Sequence, residues 1–406
     1  MSNVSIVQPA LLSKINERQV LRVLRANGAL SRAEVARYSG ITAPTASKAV
    51  ESLLRAGLLE EEDAIEGTRG RPAKKLRLAT ETAQVLGFVI DADQCRLVSS
   101  GLDGAINEER TRWFPTPNSY DELIDIAARH ASELMERAQT TTFGMGISVP
   151  GLVDYRQNMA ILSPNVPMTN MHSPGKDLSE RLGIECIMMQ EEHALCLAER
   201  FFGEARNLDD FAMLDVSTGV GLGVMSGGRL LTGHSGFAGE VGHITVELDG
   251  RLCGCGNRGC LETVASDTAL LWSISQRIGR KVDIDEALTM VERGELSPGD
   301  DLAKACRYLA IGIAAVINIF NPSTLFIHGR MFEIDHNLFH HLIEETRRRA
   351  LSPSCADCHI IQAHGSKRLG AVAAIIEHLT DSMVPAEVAD TVLSYNAVGA
   401  LKRSIG

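Results

Sequence analysis

Leu12, Ile15, Gln19, Val20, Val23 and Leu24 recur at three- and four-residue spacing. The pattern predicts one amphipathic helix over residues 9–27 with a single polar interruption. Asn27-Gly28 ends it, with Gly28 a left-handed cap. Ser31-Arg32-Ala33-Glu34 is a capping box, which starts a short helix with Val35 and Ala36 facing inward. A third helix is expected from about Thr42, with Pro44 in its first turn and Val50, Leu53 and Leu54 on the buried side, closed by Gly57. Leu58-Leu59 and residues 75–78 read as two short strands around a loop carrying Arg69-Gly70-Arg71-Pro72. Two helices joined by a short turn, followed by such a strand pair, predict a winged helix-turn-helix. Thr42, Thr45, Ser47 and Lys48 would face base edges and phosphates from the second of those helices. Arg69 and Arg71 on a slim wing tip would suit a narrow minor groove.

From residue 80 the periodicity changes. Residues 85–90 form a nearly continuous apolar run, as a buried central strand does. Strands are further expected over 95–99, 108–113, 142–149, 184–189, 211–216, 220–225 and 324–327. Helices are expected over 120–137, 191–202, 303–320 and 369–378. Strands alternating with helices predict an α/β architecture, and no internal repeat is visible.

Charge sharpens this division. The net charge of −11 splits into +5 over residues 1–80 and −16 over the remainder, so the N-terminal fifth is the part suited to a polyanion. At 406 residues the chain has room for two or three domains. No run of eighteen apolar residues predicts a membrane span, and no export signal is visible. Nine scattered cysteines, an odd number, fit the reducing cytoplasm.

The chemistry concentrates between Gly239 and Glu262. His243, Cys253, Cys255 and Cys260 stand in the spacing H-x9-C-x-C-x4-C. Three thiols and one imidazole make a closed tetrahedral set, which predicts one structural zinc ion per chain, with no open position for a reactive water. Glycines between the thiols allow the tight turning this needs. A metal that fixes His243 would also fix the flanking Glu240 and Glu262. Cys355-Ala356-Asp357-Cys358-His359 has the spacing of haem attachment; without an export signal it is read as incidental surface cysteines.

Glu240-x-x-His243 with C-x-C-G-x-x-G-C-x-E at 253–262 resembles the signature of the ROK family (repressors, open reading frames and sugar kinases). Pro150-Gly151-Leu152-Val153-Asp154 and Asn321-Pro322 match the same family, and the winged helix ahead of them is similar to its transcriptional-repressor branch. The resemblance implies an actin/hexokinase-like body of two α/β lobes with a ligand cleft between them. It implies three parts: a winged helix-turn-helix over 1–80; a first lobe over 81–193, with a C-terminal helix at about 380–406 packing back on it; and a second lobe over 194–379 holding the metal and sugar residues. Hexose hydroxyls would meet Glu240, His243 and Glu262, and Gln190 and Glu191 would stand at the asparagine-aspartate positions of the kinases, with Glu191 at the catalytic base. His193, two residues on, is read either as a further contact or as a core histidine.

Against the kinase branch several parts are altered. Where the kinases carry D-x-G-G-T, this chain reads Asp91-Ala92-Asp93-Gln94-Cys95, which loses both glycines and sets Asp93 against phosphate. The second phosphate loop, 217–223, keeps its glycines, whereas 327–330 keeps one. The Gln190-Glu191 pair is one methylene longer per residue, which displaces a base and crowds one end of a hexose pocket. The reading is therefore a sugar-responsive DNA-binding regulator with no catalytic residue. It would bind operator DNA as a homodimer or tetramer and respond to a sugar, a sugar phosphate or a protein partner. An ATP-dependent hexose kinase with a DNA-binding appendage is the alternative, and a zinc-stabilised docking protein a third reading.

Overall fold

The computed structural model describes residues 9–62, 74–138, 140–363 and 365–381. Arg69 and Arg71, at the expected wing tip, lie outside the described residues, as does all but the start of the 380–406 segment.

The N-terminal module contains α1 (Pro9–Asn27), β1 (Leu30–Ser31), α2 (Arg32–Ser39), α3 (Ala43–Arg55), β2 (Leu59–Glu62) and β3 (Lys75–Leu78). Ser31 and Glu34 close the capping box in both directions. Thr42 is the N-cap of α3, though its hydroxyl sits 2.8 Å from that of Thr45 instead of on a backbone N–H. Val35 is buried, while Ala36 is only half so. The three strands pair antiparallel in the order β1-β3-β2, so the wing gains a short strand that the apolar pattern did not show.

Two five-stranded sheets make the body. The first contains β4 (Ala83–Val89), β5 (Gln94–Ser100), β6 (Arg112–Pro115), β7 (Thr141–Val149) and β10 (Cys186–Gln190), with α4 (Tyr120–Arg137) between β6 and β7. A small hairpin, β8 (Leu152–Asp154) and β9 (Met159–Leu162), and helix α5 (Pro174–Leu182) precede β10. The expected strand over 108–113 divides: Asn107 caps a 3₁₀ turn at Glu108–Arg110, and pairing begins only at Arg112. After α6 (Glu191–Phe202) comes the second sheet: β11 (Phe211–Asp215), β12 (Gly221–Ser226), β13 (Arg229–Leu230), β14 (Thr324–His328) and β15 (His359–Gln362). Its helices are α7 (Glu262–Ala265), α8 (Asp267–Ile278), α9 (Ile284–Glu292), α10 (Gly299–Phe320), α11 (Met331–Ile334), α12 (Leu338–Arg347) and α13 (Ser352–Ala356), and α14 (Lys367–Asp381) follows β15.

Both sheets have one topology. An antiparallel meander is followed by two parallel strands, giving the orders β10-β7-β4-β5-β6 and β15-β14-β11-β12-β13. The body is thus a duplicated unit that no sequence repeat announced. Each unit ends in a helix that crosses to the other: α6 packs on β11 and β12, and α14 packs on β4 and β7. This corrects the boundary at residue 379, because α14 belongs with the first sheet. Glycine makes the crossing possible: a Cβ on Gly146 would lie 1.9 Å from the Ala371 carbonyl oxygen, and one on Gly223 2.6 Å from Cys196 Sγ.

The core of the N-terminal module continues into the body. Val20, Leu21, Leu24, Leu58 and Leu78 share one apolar cluster with Leu102, Phe201, Ile375 and Ile376. Helix α10 alone among the described residues is long and apolar enough to cross a membrane, and its Leu309, Ile313 and Ile317 are core of the second lobe. Cys355 and Cys358 are buried in that core, not on the surface.

Candidate effector site and metal cluster

The segment after β13 carries the four residues expected to hold a metal ion. His243 ends a 3₁₀ turn begun at Val241, and the chain then loops through Cys253, Cys255 and Cys260 into α7. Gly259 turns this loop at φ +68°, where a Cβ would fall 1.6 Å from the Glu247 carbonyl oxygen. The four ligand atoms lie within 4.8 Å of one another. Cys255 and Cys260 sulfurs are 3.8 Å apart, and Cys253 Sγ is 3.6 Å from His243 Nδ1. A tetrahedral zinc ion with bonds of about 2.0–2.3 Å sets its ligand atoms about 3.5–3.8 Å apart. The residues therefore fit such an ion. The Cys253 thiol also donates to Glu262 Oε1 at 2.8 Å, a proton that metal binding would release.

His243 links this cluster to a second one. Its Nδ1 faces the sulfurs and lies 3.7 Å from Glu262 Oε1, while Nε2 lies 3.7 Å from Glu240 Oε2. Glu240 Oε1 in turn accepts from Gln190 Nε2 at 3.3 Å. Gln190, Glu240, His243 and Glu262 are thus gathered from β10 and the metal loop. Burial raises the Glu240 carboxyl above its ordinary range, with His243 and Gln190 opposing. The other amide atom of Gln190, Oε1, is buried without a hydrogen-bond partner. Such an atom asks for a donor that the protein does not supply. From behind, Gln190 N–H donates to the Tyr155 hydroxyl at 3.1 Å, and Tyr155 lies 2.7 Å from His193 Nδ1. His193 is 1% exposed, and burial pulls it down to about 4. It is a neutral core histidine bracing Gln190 through Tyr155.

Glu191 does not join this group. Its carboxylate contacts Lys367 Nζ, which is also 3.5 Å from Asp91 Oδ2 and 4.0 Å from Asp215 Oδ2. The duplicated fold explains the meeting. Asp91 and Asp215 follow or end the first strand of each sheet, and Glu191 and Lys367 are the first residues of the two crossing helices. His328 Nδ1 at 2.7 Å and the Ser217 hydroxyl at 2.7 Å complete the shell of Asp215. Burial works against the Lys367 ammonium, and Glu191, Asp215 and Asp91 outweigh it, holding Lys367 above its ordinary range. For Glu191 burial wins over the pull of Lys367, pushing it up to about 7. The contact geometry describes a shared charge cluster rather than two independent titrations. A cation at the N-terminus of α14 opposes the helix dipole, so the three carboxylates are what hold it there.

The ROK family's profile matches residues 87–378. The chain belongs to the ROK family. A MarR family profile matches residues 14–70, within the winged helix. Among curated relatives, the Bacillus subtilis (strain 168) protein named xylose repressor is 26% identical over 382 residues, covering 93% of this chain and 98% of its own. The N-acetylglucosamine repressor of Escherichia coli O157:H7 is 28% identical over 338 residues, covering 80% and 82%. A solved ROK family transcriptional regulator, described as a homologue of the E. coli MLC protein, superposes with a TM-score of 0.78 at 25% identity, covering 91% of this chain and 97% of that one. The ROK hexokinase from Thermus thermophilus superposes at 0.60 with 26% identity, covering 73% and 98%.

Within this ROK body a cavity of about 710 Å³ opens between the lobes beside the charge cluster, lined by Asp93, Asn165, Thr218, Thr268 and Trp272 among others. Asp93 therefore borders the cleft next to the second glycine loop. The turn after β14 is pinned: the N–H groups of Arg330 and Met331 donate to Asp267, and the Arg330 side chain reaches Asp285 at 2.8 Å. In the winged helix, Thr42 and Lys48 are exposed on α3, with Thr45 and Ser47 half-buried beside them. Sequence reasoning missed Lys367 altogether. The one signal was a lysine just ahead of the apolar run 369–376, which by itself says nothing of three distant carboxylates.

Proposed function

We propose that this chain is a sugar-responsive, DNA-binding repressor of carbohydrate-uptake or catabolic genes, and that its kinase-like body senses an effector without phosphorylating it. Both curated relatives named above are repressors, and the matching regulator structure covers 91% of this chain, winged helix included. Helix α3 would enter the major groove with Thr42, Thr45, Ser47 and Lys48, and the wing would add Arg69 and Arg71. Gln190, Glu240, His243 and Glu262 would hold the hydroxyls of a sugar or sugar phosphate, the unpartnered Gln190 Oε1 accepting one of them. Zinc on His243, Cys253, Cys255 and Cys260 would keep His243 and the two carboxylates in register. Pairing of two copies would match a two-fold operator.

Lys367 is the observation that carries the non-catalytic part of this reading. Phosphoryl transfer requires Mg²⁺ at the phosphates and a carboxylate that can take the substrate proton. Here the carboxylate at the base position is already neutralised by a tethered ammonium, and the two aspartates facing it share that charge. A divalent ion would have to displace a lysine that the fold itself delivers.

Two measurements test the reading. A coupled ADP-release assay across hexoses and pentoses is expected to show no turnover above the protein-free control, and sustained turnover overturns the sensor. Gel retardation with DNA from the protein's own promoter region is expected to show a salt-dependent complex that a cognate sugar weakens. No complex at low salt with any such fragment removes the regulator.

A further inference from the structure

Where the winged helix meets the body, a cavity of about 140 Å³ is lined by Arg22, Arg25, Arg200 and Arg206, with Glu377 as its one lining carboxylate. All parts of the molecule contribute. Arg22 and Arg25 come from α1, Arg200 from α6, Arg206 from the loop after it, Glu377 from α14, and Gly228 from the turn between β12 and β13. Arg25 is committed locally: its guanidinium stacks 3.5 Å above the Phe201 ring, donates to Thr380 at 3.3 Å and lies 4.0 Å from Glu377. Arg200 is not. Among the described residues its Nη1 is buried without a hydrogen-bond partner, and its Nη2 lies 3.9 Å from the exposed Asp209 carboxylate. A neighbouring cavity of about 230 Å³ shares Arg25, Phe201 and Arg206, so the basic wall continues along the seam.

The lining carries four guanidinium groups to one carboxylate, an excess of positive charge, and a buried N–H donor without an acceptor costs free energy. An anion with several acceptor oxygens relieves both, and planar guanidinium forks match phosphate oxygens in particular. The volume is below that of drug-sized ligand pockets and suits a phosphoryl group with little else enclosed.

We propose that this seam cavity binds a phosphoryl group, presented by inorganic phosphate or by a phosphorylated sugar. It is separate from the Glu240–Glu262 cluster. An anion gripped by α1 on one side and by α6 on the other binds best when the winged helix is docked against the body, so it stabilises that arrangement. Its effect on operator affinity rests on the DNA-binding reading above; the binding itself does not.

The test is isothermal titration of the full-length protein with inorganic phosphate, and separately with a hexose 6-phosphate, at constant ionic strength set by NaCl. Saturable heat with millimolar or tighter affinity is expected, weakened at least tenfold in R200Q and in R206Q. If inorganic phosphate binds as tightly as the hexose phosphate, the free ion is the ligand; if only the ester binds, the sugar phosphate is. No saturable heat with either in the wild-type protein overturns the proposal, whatever the variants do. Binding undiminished in folded R200Q and R206Q overturns it too. Gel retardation with and without saturating phosphate then reads the coupling. Loss of all DNA binding with phosphate heat intact would sink the regulator and leave this site standing.

Discussion

The body holds two acidic clusters, set on either side of the glutamine-glutamate pair at 190–191, and they differ in what neutralises them. Around the metal loop, Glu240 and Glu262 meet a histidine and an amide, and a buried acceptor on Gln190 is left over. Around the crossing helices, Asp91, Glu191 and Asp215 are closed by an ammonium whose side chain is 14% exposed. Neutral polyols need acceptors with spare capacity, which the first cluster keeps. Phosphate chemistry needs carboxylates that can hold Mg²⁺, and in the second cluster Lys367 stands among them instead. Two neighbouring backbone positions thus send their side chains into different surroundings, one leaving an acceptor unmet and one ion-paired within the chain.

The comparison breaks most visibly at the metal. Cys260→Ser is expected to cut zinc, measured by elemental mass spectrometry, from one ion per chain to under a tenth. It should lower the melting temperature by about 10 °C, because structural zinc contributes folding free energy directly. Any sugar-induced thermal shift should vanish with it; a retained shift would uncouple the open cluster from the metal.

Next in size is the closed cluster. Lys367→Met leaves the buried Glu191 and Asp215 and the half-buried Asp91 without their cation, and removal of one partner from a buried ion pair costs about 3–5 kcal/mol. Denaturant titration should show that loss, with part of it recovered in millimolar Mg²⁺. Unchanged stability would mean that the ammonium is not what closes the cluster.

Acid sharpens the contrast through His193. Burial lowers its folded pKa to about 4 from an ordinary 6.5. The unfolded chain therefore binds the extra proton first. The contribution of His193 is full above about pH 6.5 and is lost as pH falls toward 4, amounting to about 3 kcal/mol. His193→Asn should flatten that slope in equilibrium unfolding curves taken across the window, and an unaltered slope would place the sensitivity elsewhere.

The smallest stability effect is expected at the open cluster. Glu240→Gln should change unliganded stability by less than about 1 kcal/mol. Calorimetry should nonetheless find sugar binding weakened at least tenfold. Undiminished binding would move the effector away from this carboxylate.

How much of this was legible depends on the reach of each signal. The metal set was readable because its ligands lie within eighteen residues and glycines mark the turns between them. The capping box at Ser31–Glu34 was readable for the same reason. Lys367 was not: it meets Asp91 across 276 positions, through a helix that leaves its own sheet for the other one. The duplicated topology was equally hidden, since pairing order leaves no trace in periodicity. Glu191 was placed correctly at the start of α6, yet a backbone position does not say which of two acidic neighbourhoods its side chain joins. Strand β1 is two residues long and exists only because β3, some 45 positions later, pairs with it.

One apolar cluster runs without a break from α1 of the winged helix into α6 and α14. The DNA-reading head is therefore not a bead on a string. Cut free at residue 80, it would carry a greasy wound formed by Leu21, Leu24, Leu58 and Leu78, and should clump rather than fold cleanly. In the intact chain those side chains are shared with Phe201, Ile375 and Ile376, so the head sits directly on the body. Any movement of the body would reach the head through packed side chains, like force through the tip of a lever.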